Sequence, residues 1–129
     1  MIALDPKQAK AYFMLGQIAE QVDSDFDTAF IFYNQAWRLE PHVHDYQISV
    51  SRCLYQQKQF SAAATLLSDF IKEIDMGTLK NPLAAQFYFL RGLCLAEMGL
   101  MPQALEDMGQ ALELDPALQE ARLFIQDHA

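Results

Sequence analysis

Residues 88–116 read YFLRGLCLAEMGLMPQALEDMGQALELDP, and this stretch predicts two packed helices joined by a turn. Its second half holds Ala104 and Ala111, whose spacing of seven residues is two turns of an α-helix. Both alanines therefore face the same way, and such small side chains let a neighbouring helix approach closely. Gly92, in the first half, is another small residue, and it follows the aromatic Tyr88 by one turn.

The same pattern occurs twice more upstream, and it aligns on three residues that we call the anchors: Gly16, Ser51 and Gly92. The first two anchors are 35 residues apart and the last two are 41 apart. Nine or ten residues after each anchor an apolar residue opens the next helix, namely Phe26, Phe60 and Met101. Repeats of about this length indicate an array of helical hairpins.

This pattern resembles the tetratricopeptide repeat, whose signature includes an aromatic residue, Leu-Gly, two spaced alanines and a final proline over about 34 residues. The third unit matches best, whereas the second has Ser51 and Lys58 in place of two glycines. Arg91 replaces the usual leucine beside Gly92. The resemblance implies an all-α fold, a right-handed superhelix of three helix-turn-helix hairpins plus a C-terminal capping helix.

We expect residues 1–129 to form a single array, with three repeat units and a capping helix at about 7–41, 42–75, 83–116 and 117–128. The pattern predicts helices near 7–22, 26–40, 43–58, 60–75, 83–98, 102–114 and 117–128. Residues 1–6 align with residues 111–116, so we interpret them as the remnant of a preceding repeat. On this hypothesis the chain is a piece of a longer protein with at least one more repeat upstream.

Charge and cysteine content limit the classes of partner and the cellular setting. Nine Lys and Arg against 17 Asp and Glu give a net charge of -8, which disfavours nucleic acid and anionic membrane surfaces. No apolar stretch is long enough to span a bilayer, so we predict no direct membrane insertion. Two cysteines are too few for a disulfide scaffold, and the first residues lack a secretory signal pattern. An intracellular, cytoplasmic location is therefore expected.

An acidic run at residues 23–27 alternates as calcium ligands do, with aspartates at 23, 25 and 27. A calcium loop then needs a glycine and a later glutamate, but Thr28 and Asn34 occupy those places. Acidic residues before and within the first turn of a helix also cap it and favour its dipole. We therefore predict that these aspartates cap the helix that follows.

No residue pattern indicates catalysis or a metal site. His42 and His44 are two residues apart and point to different faces, whereas zinc takes three or four such ligands. Cys53 and Cys94 each follow an anchor by two residues, a place that the family fills with small buried residues, so inert packing is expected. No Ser–His–Asp set, phosphate-binding loop or paired carboxylate is evident. We predict no catalytic residue, no metal, no cofactor and no enzymatic activity.

The resemblance implies that the first helix of each hairpin lines a concave groove that binds the ligand. Counted from the anchors, the groove positions form one helical stripe per hairpin. They hold Phe13, Gln17, Glu20, Ile48, Arg52, Tyr55, Phe89, Leu93 and Glu97. Such a mixed surface suits an extended or helical peptide with apolar anchors and a few charges. The alternative, that some of these residues pack between repeats, stays open.

One subclass of the family binds C-terminal carboxylates of chaperones through a clamp of Lys, Asn and Arg. Only Lys10 matches that clamp, because Gln17 and Ser49 replace its Asn residues and Gln86 and Leu90 replace later cations. Without paired cations a carboxylate is poorly compensated. The sequence therefore argues against this ligand.

The leading functional hypothesis is a protein–protein interaction module that holds a peptide or partner segment, as a scaffold or chaperone-like adaptor. A narrower version is a bacterial secretion chaperone that holds an extended client. The alternative is a structural assembly unit, in which the stacking face at the exposed N-terminal end of the repeats pairs either with another copy of the chain, forming a homo-oligomer, or with the missing repeats. A third hypothesis is a regulatory domain whose catalytic partner lies elsewhere in the parent chain.

Overall fold

The computed structural model describes residues 8–77 and 82–128, and these residues form seven α-helices with no strand. The helices are α1 Ala9–Gln21, α2 Phe26–Leu39, α3 His44–Gln56, α4 Phe60–Gly77, α5 Pro82–Glu97, α6 Met101–Leu114 and α7 Gln119–His128. The all-α prediction is confirmed, and every predicted helix is present with ends that differ by at most two residues. The remnant that we predicted at residues 1–6 lies outside the described residues.

The second helix of each predicted hairpin begins at the expected apolar residue, namely Phe26, Phe60 and Met101. Asp25 caps α2, because its Oδ1 accepts a hydrogen bond from the Thr28 backbone N–H at 3.1 Å. Its Oδ2 accepts another from the Thr28 hydroxyl at 2.6 Å. The predicted capping role of this acidic run is therefore confirmed for Asp25.

Two equivalent turns differ in how easily their sequence adopts the required backbone. Gly99, in the turn between α5 and α6, has a φ of 82°, which glycine adopts without steric cost. Lys58, in the turn between α3 and α4, has a φ of 64° although it carries a side chain. The sequence alignment placed Lys58 where the family has glycine, and the backbone there retains the left-handed conformation.

The chain divides into two compact units, and the first contains α1, α2 and α3. In this unit α1 packs on α2 and α2 packs on α3. Gly16 permits the first contact, since a Cβ there would lie 2.6 Å from two ring carbons of Tyr33. Buried Ala9, Ala36 and Tyr46 form a cluster against which Phe13 and other side chains pack.

The second unit contains α4 to α7, and each of these helices packs on the next. Gly92 has the role that Gly16 has in the first unit, because a Cβ there would lie 2.9 Å from Met108 Cε and 3.2 Å from the Ala104 carbonyl oxygen. The two predicted contact alanines, Ala104 and Ala111, are fully buried. The sequence pattern therefore identified the residues at which α5 and α6 meet.

Candidate partner-binding surface

In the first unit, three of the predicted groove residues lie on α1 and three lie on α3. Phe13 and Gln17 of α1 and Ile48 and Tyr55 of α3 are each half-buried. The Phe13 ring centroid lies 5.5 Å from that of Tyr33 and 5.0 Å from that of Tyr46. Phe13 therefore contributes to packing within the unit as well as to the surface, as the alternative interpretation expected.

The remaining two of these six residues, Glu20 and Arg52, form an ion pair between α1 and α3. Arg52 Nε donates to Glu20 Oε2 at 2.7 Å, and Arg52 Nη2 donates to Glu20 Oε1 at 2.8 Å. The Tyr33 hydroxyl donates to the same Oε1 at 2.6 Å. The Arg52 side chain remains 37% exposed and that of Glu20 only 12%. The charges of these two predicted groove residues therefore neutralise each other.

This arrangement keeps Glu20 ionised and Tyr33 neutral. Burial alone would raise the pKa of Glu20, but the hydrogen bonds from Arg52 and Tyr33 and the Arg52 charge lower it below its usual value. Burial, the hydrogen bond to Glu20 and the Glu20 charge together raise the pKa of Tyr33. The hydrogen bond to Glu20 raises the pKa of Arg52 against the opposing effect of burial. Glu20, Arg52 and Tyr33 therefore form a charge-assisted hydrogen-bond network that links α1, α2 and α3 beside the predicted groove residues.

In the second unit, Phe89, Leu93 and Glu97 lie four residues apart along α5 and share one side of it. Phe89 and Leu93 are half-buried and Glu97 is exposed. Along this stripe two half-buried apolar side chains are followed by an exposed acidic one. The second unit thus contributes a short apolar surface of its own.

The opposite side of α5 carries a second ion pair, which the sequence analysis missed. Arg91 donates from Nε and Nη2 to the two carboxylate oxygens of Asp107 on α6, both at 2.7 Å. Arg91 Nη1 also donates to the Ser68 hydroxyl of α4 at 3.2 Å, and its guanidinium lies 5.6 Å from the Tyr88 ring centroid. The one signal in the sequence was the replacement of the usual leucine by Arg91.

A cleft of about 320 Å³ lies over this pair, between α4, α5 and α6. Its lining consists of Ala64, Thr65, Ser68, Arg91, Leu95, Gln103, Glu106 and Asp107. Phe89 and Leu93 do not line the cleft, because they lie on the other side of α5. The cleft and the predicted groove stripe are therefore two different surfaces of the second unit.

Both thiols are buried, as we expected, and His44 makes a local contact with Gln47. Burial raises the pKa of Cys53 and of Cys94 to about 12, so both remain protonated, weakly nucleophilic thiols near neutral pH. His44 Nδ1 lies 2.9 Å from Gln47 Oε1, while the Gln47 amide donates to the Pro41 carbonyl at 2.9 Å. Across residues 8–77 and 82–128, no three His, Cys, Asp or Glu side chains come together as a metal site would require.

The family assignment follows from a direct match of sequence. The family model for the tetratricopeptide repeat matches residues 54–119. The chain belongs to the tetratricopeptide repeat family. Such repeats present binding surfaces for other proteins. No curated protein matches the chain.

Solved tetratricopeptide domains have the same fold at low sequence identity. The N-terminal domain of stress-induced protein-1 from C. elegans is 16% identical, with a TM-score of 0.77 over 95% of this chain and 94% of that one. The TPR2AB domain of yeast Sti1 in complex with pHSP90 is 16% identical, with a TM-score of 0.82 over 93% of this chain and 45% of that one. The first such domain of Spaghetti, bound to the HSP90 peptide SRMEEVD, is 18% identical, with a TM-score of 0.75 over 98% of this chain and 94% of that one.

The tetratricopeptide positions that hold a carboxylate clamp in one subclass are differently occupied here. Lys10 is exposed, whereas Ser49 and Leu90 are buried within the fold. Gln86 is exposed but uncharged. In the part of the chain that the structure describes, no helix is both long and apolar enough to cross a membrane.

Proposed function

We propose that this chain is a protein-interaction module that binds a peptide or an extended partner segment on its first-helix surfaces and catalyses no reaction itself. The observation that supports this most is the set of half-buried apolar side chains at the ligand-facing positions. Phe13, Ile48 and Tyr55 belong to the first unit, and Phe89 and Leu93 to the second. Each is exposed enough to contact a ligand, and its partial burial reduces the side-chain entropy that is left to lose on binding.

The ligand that fits is mainly apolar at its contact points. Arg52 and Glu20 neutralise each other, so neither charge needs an ionic partner from the ligand. Glu97 is the one predicted groove residue that is both exposed and charged, and it favours a basic residue in a ligand that binds beside it on the second unit. Two unpaired, buried thiols support a reducing, intracellular setting for this module.

A chaperone C-terminal carboxylate is not the ligand that we propose. Two structural neighbours carry HSP90 segments, but both are under 20% identical to this chain. The clamp positions Ser49 and Leu90 are buried here, and no cation occupies the later places. A carboxylate bound there would lose its hydration with Lys10 as the only clamp cation to compensate it.

The test is a peptide selection on the purified domain, followed by affinity measurements on variants. Tyr55→Ala and Phe89→Ala should each weaken the selected peptides at least tenfold, which corresponds to about 1.4 kcal/mol. Ile31→Ala is the matched control, since Ile31 is an exposed apolar residue on α2, outside the proposed surface. The peptide SRMEEVD should show no saturable binding to the wild type.

Circular dichroism and urea titration would first establish that each variant is folded. Equal affinity of the selected peptides for the wild type, Tyr55→Ala and Phe89→Ala would exclude the proposed surface. Saturable binding of SRMEEVD would show that the chain does bind a C-terminal carboxylate, and our argument against that ligand would be wrong.

A further inference from the structure

The cleft over the Arg91–Asp107 pair is formed by one side of each of three helices in the second unit. On each helix the lining residues recur after three or four positions, so they share one side of it. The cleft volume of about 320 Å³ lies at the lower end of the range for ligand pockets. The lining consists of Ala64, Thr65 and Ser68 from α4, Arg91 and Leu95 from α5, and Gln103, Glu106 and Asp107 from α6.

Three of the lining side chains are bonded to one another. Both carboxylate oxygens of Asp107 accept hydrogen bonds from Arg91 at 2.7 Å. The Ser68 hydroxyl accepts one from Arg91 at 3.2 Å and donates one to the Ala64 carbonyl at 2.9 Å. The Asp107 charge therefore balances the Arg91 charge. An anionic ligand in the cleft would have to compete with Asp107 for the guanidinium.

Three other lining residues keep their polar groups for solvent. Thr65, Gln103 and Glu106 are exposed, and their side chains make no hydrogen bond or ion pair within residues 8–77 and 82–128. Glu106 is therefore the one charged residue of the lining that no other lining residue balances. Half-buried Leu95 and the Ala64 methyl group add apolar surface. The cleft thus combines hydrogen-bond acceptors and a negative charge with an apolar patch.

We propose that this cleft binds an arginine side chain of a partner protein, with the guanidinium on the Glu106 carboxylate. A guanidinium donates two parallel hydrogen bonds to a carboxylate, and its other N–H groups suit the side-chain oxygens of Thr65 and Gln103. The methylene stem of the arginine packs on Leu95. The net charge of -8 attracts basic segments to the chain as a whole.

Arginine fits these groups better than lysine does. The acceptors lie on two walls of the cleft, because Thr65 belongs to α4 whereas Gln103 and Glu106 belong to α6. Arginine presents five N–H donors in a fixed fork, whereas lysine presents a compact point charge with three donors. Arginine is also enriched in protein interfaces, and lysine is depleted there. We therefore expect a lysine side chain to bind more weakly.

The experiment adds N-acetyl-arginine methylamide to the isotope-labelled full chain and follows the backbone amide signals by NMR. Saturable shifts are expected at Thr65, Leu95 and Glu106. The matched ligand is N-acetyl-citrulline methylamide, which has nearly the same shape but no charge. It should bind about fivefold more weakly, which corresponds to about 1 kcal/mol. The lysine derivative should also bind more weakly than the arginine derivative.

Two substitutions test the cleft itself. Glu106→Gln should weaken the arginine derivative about fivefold, to the level of the citrulline derivative, because both changes remove the same ion pair. Glu113→Gln is the matched control, since it removes an exposed carboxylate of the same helix about 10 Å further along. It changes the net charge equally and should bind like the wild type. Thr65→Trp fills the cleft and should abolish the saturable shifts.

The substituted residues Thr65, Glu106 and Glu113 are exposed, so urea titration should show all three variants folded. Equal binding of the citrulline derivative, equal binding by Glu106→Gln, or shifts that lie away from the cleft would overturn the proposal. Tighter binding of the lysine derivative would overturn the choice of arginine.

This site does not depend on the proposed peptide surface. Tyr55→Ala and Phe89→Ala should bind the arginine derivative like the wild type, because neither residue lines the cleft. Glu106→Gln should in turn bind the selected peptides like the wild type. The two proposals therefore fail independently.

Discussion

Arg52 on α3 donates two hydrogen bonds to Glu20 on α1, at 2.7 and 2.8 Å, and so links two helices whose residues are 32 positions apart in sequence. The Tyr33 hydroxyl of α2 completes the network by donating to the same carboxylate. One carboxylate therefore bonds to residues of both other helices in the first unit. The network fixes how α1 and α3 meet beside the proposed peptide surface.

Replacing Glu20 tests how much this network stabilises the fold. Glu20→Gln should lower the free energy of unfolding by about 1–2 kcal/mol, because Arg52 and Tyr33 lose an ionised acceptor while water partly compensates the half-exposed Arg52. Urea titration at pH 7 measures the change. Asp69→Asn, which alters an exposed carboxylate on α4, should stay within about 0.5 kcal/mol of the wild type. If Glu20→Gln lowered the free energy of unfolding no more than Asp69→Asn does, the Glu20–Arg52 pair would contribute nothing to stability.

The stabilisation by Glu20 should depend on pH with a definite sign. The folded state lowers the pKa of Glu20 below its usual 4.5, so the unfolded chain takes up the proton first as the pH falls. The stabilisation that ionised Glu20 gives the folded state is therefore fully present above pH 4.5, and it is lost as the pH falls through the lower pKa of the folded state. The difference in unfolding free energy between the wild type and Glu20→Gln should therefore be constant near neutral pH and shrink below pH 4.5. A difference that stayed constant down to pH 3 would contradict the assignment.

The left-handed turn at Lys58 offers a stabilising substitution. A residue with a side chain at a positive φ loses roughly 1 kcal/mol relative to glycine, so Lys58→Gly should raise the free energy of unfolding by up to that amount. Gly99→Ala, at the equivalent turn, should lower it by a similar amount, because nothing but the backbone conformation opposes a Cβ there. Thermal or urea unfolding measures both changes. The change in unfolding free energy should be positive for Lys58→Gly and negative for Gly99→Ala, and changes of the same sign would contradict this explanation.

The sequence predicted what depends on local spacing and missed what depends on contacts between helices. The first residues Phe26, Phe60 and Met101 of three helices followed from their distances to the anchors, because those distances fix the turn lengths. The pairing of Glu20 with Arg52 did not follow, since spacing along one helix does not say which residue of another helix stands opposite.

The same limit applies to the candidate surface. The predicted groove positions were identified from helical periodicity. How far each side chain packs into the unit, rather than facing solvent, depends on aromatic neighbours from other helices. Phe13 shows this, because its ring contacts Tyr33 of α2 and Tyr46 of α3. The sequence marked Arg91 as a departure from the family pattern. Its partner Asp107 lies on another helix, and only the packing of α5 on α6 brings the two side chains together.

The pair between Arg91 and Asp107 should make single substitutions costly and a double substitution mild. Arg91→Leu restores the residue that the family usually has but leaves Asp107, whose side chain is 8% exposed, without its cation. Removing one member of a buried pair costs about 3 kcal/mol or more, whereas replacing both with apolar residues is often neutral. Arg91→Leu and Asp107→Leu should therefore each lower the free energy of unfolding by about 3 kcal/mol.

The double variant Arg91→Leu/Asp107→Leu should instead lie within about 1 kcal/mol of the wild type, because neither charge is then left unpaired. The open cleft of about 320 Å³ over the pair leaves room for the new side chains to adjust. Ser68 keeps a hydrogen bond in every variant, since its hydroxyl also donates to the Ala64 carbonyl at 2.9 Å. Urea titration of the four proteins gives the coupling energy directly. Losses that simply add in the double variant would show that the two side chains act independently, despite the 2.7 Å contacts that join them.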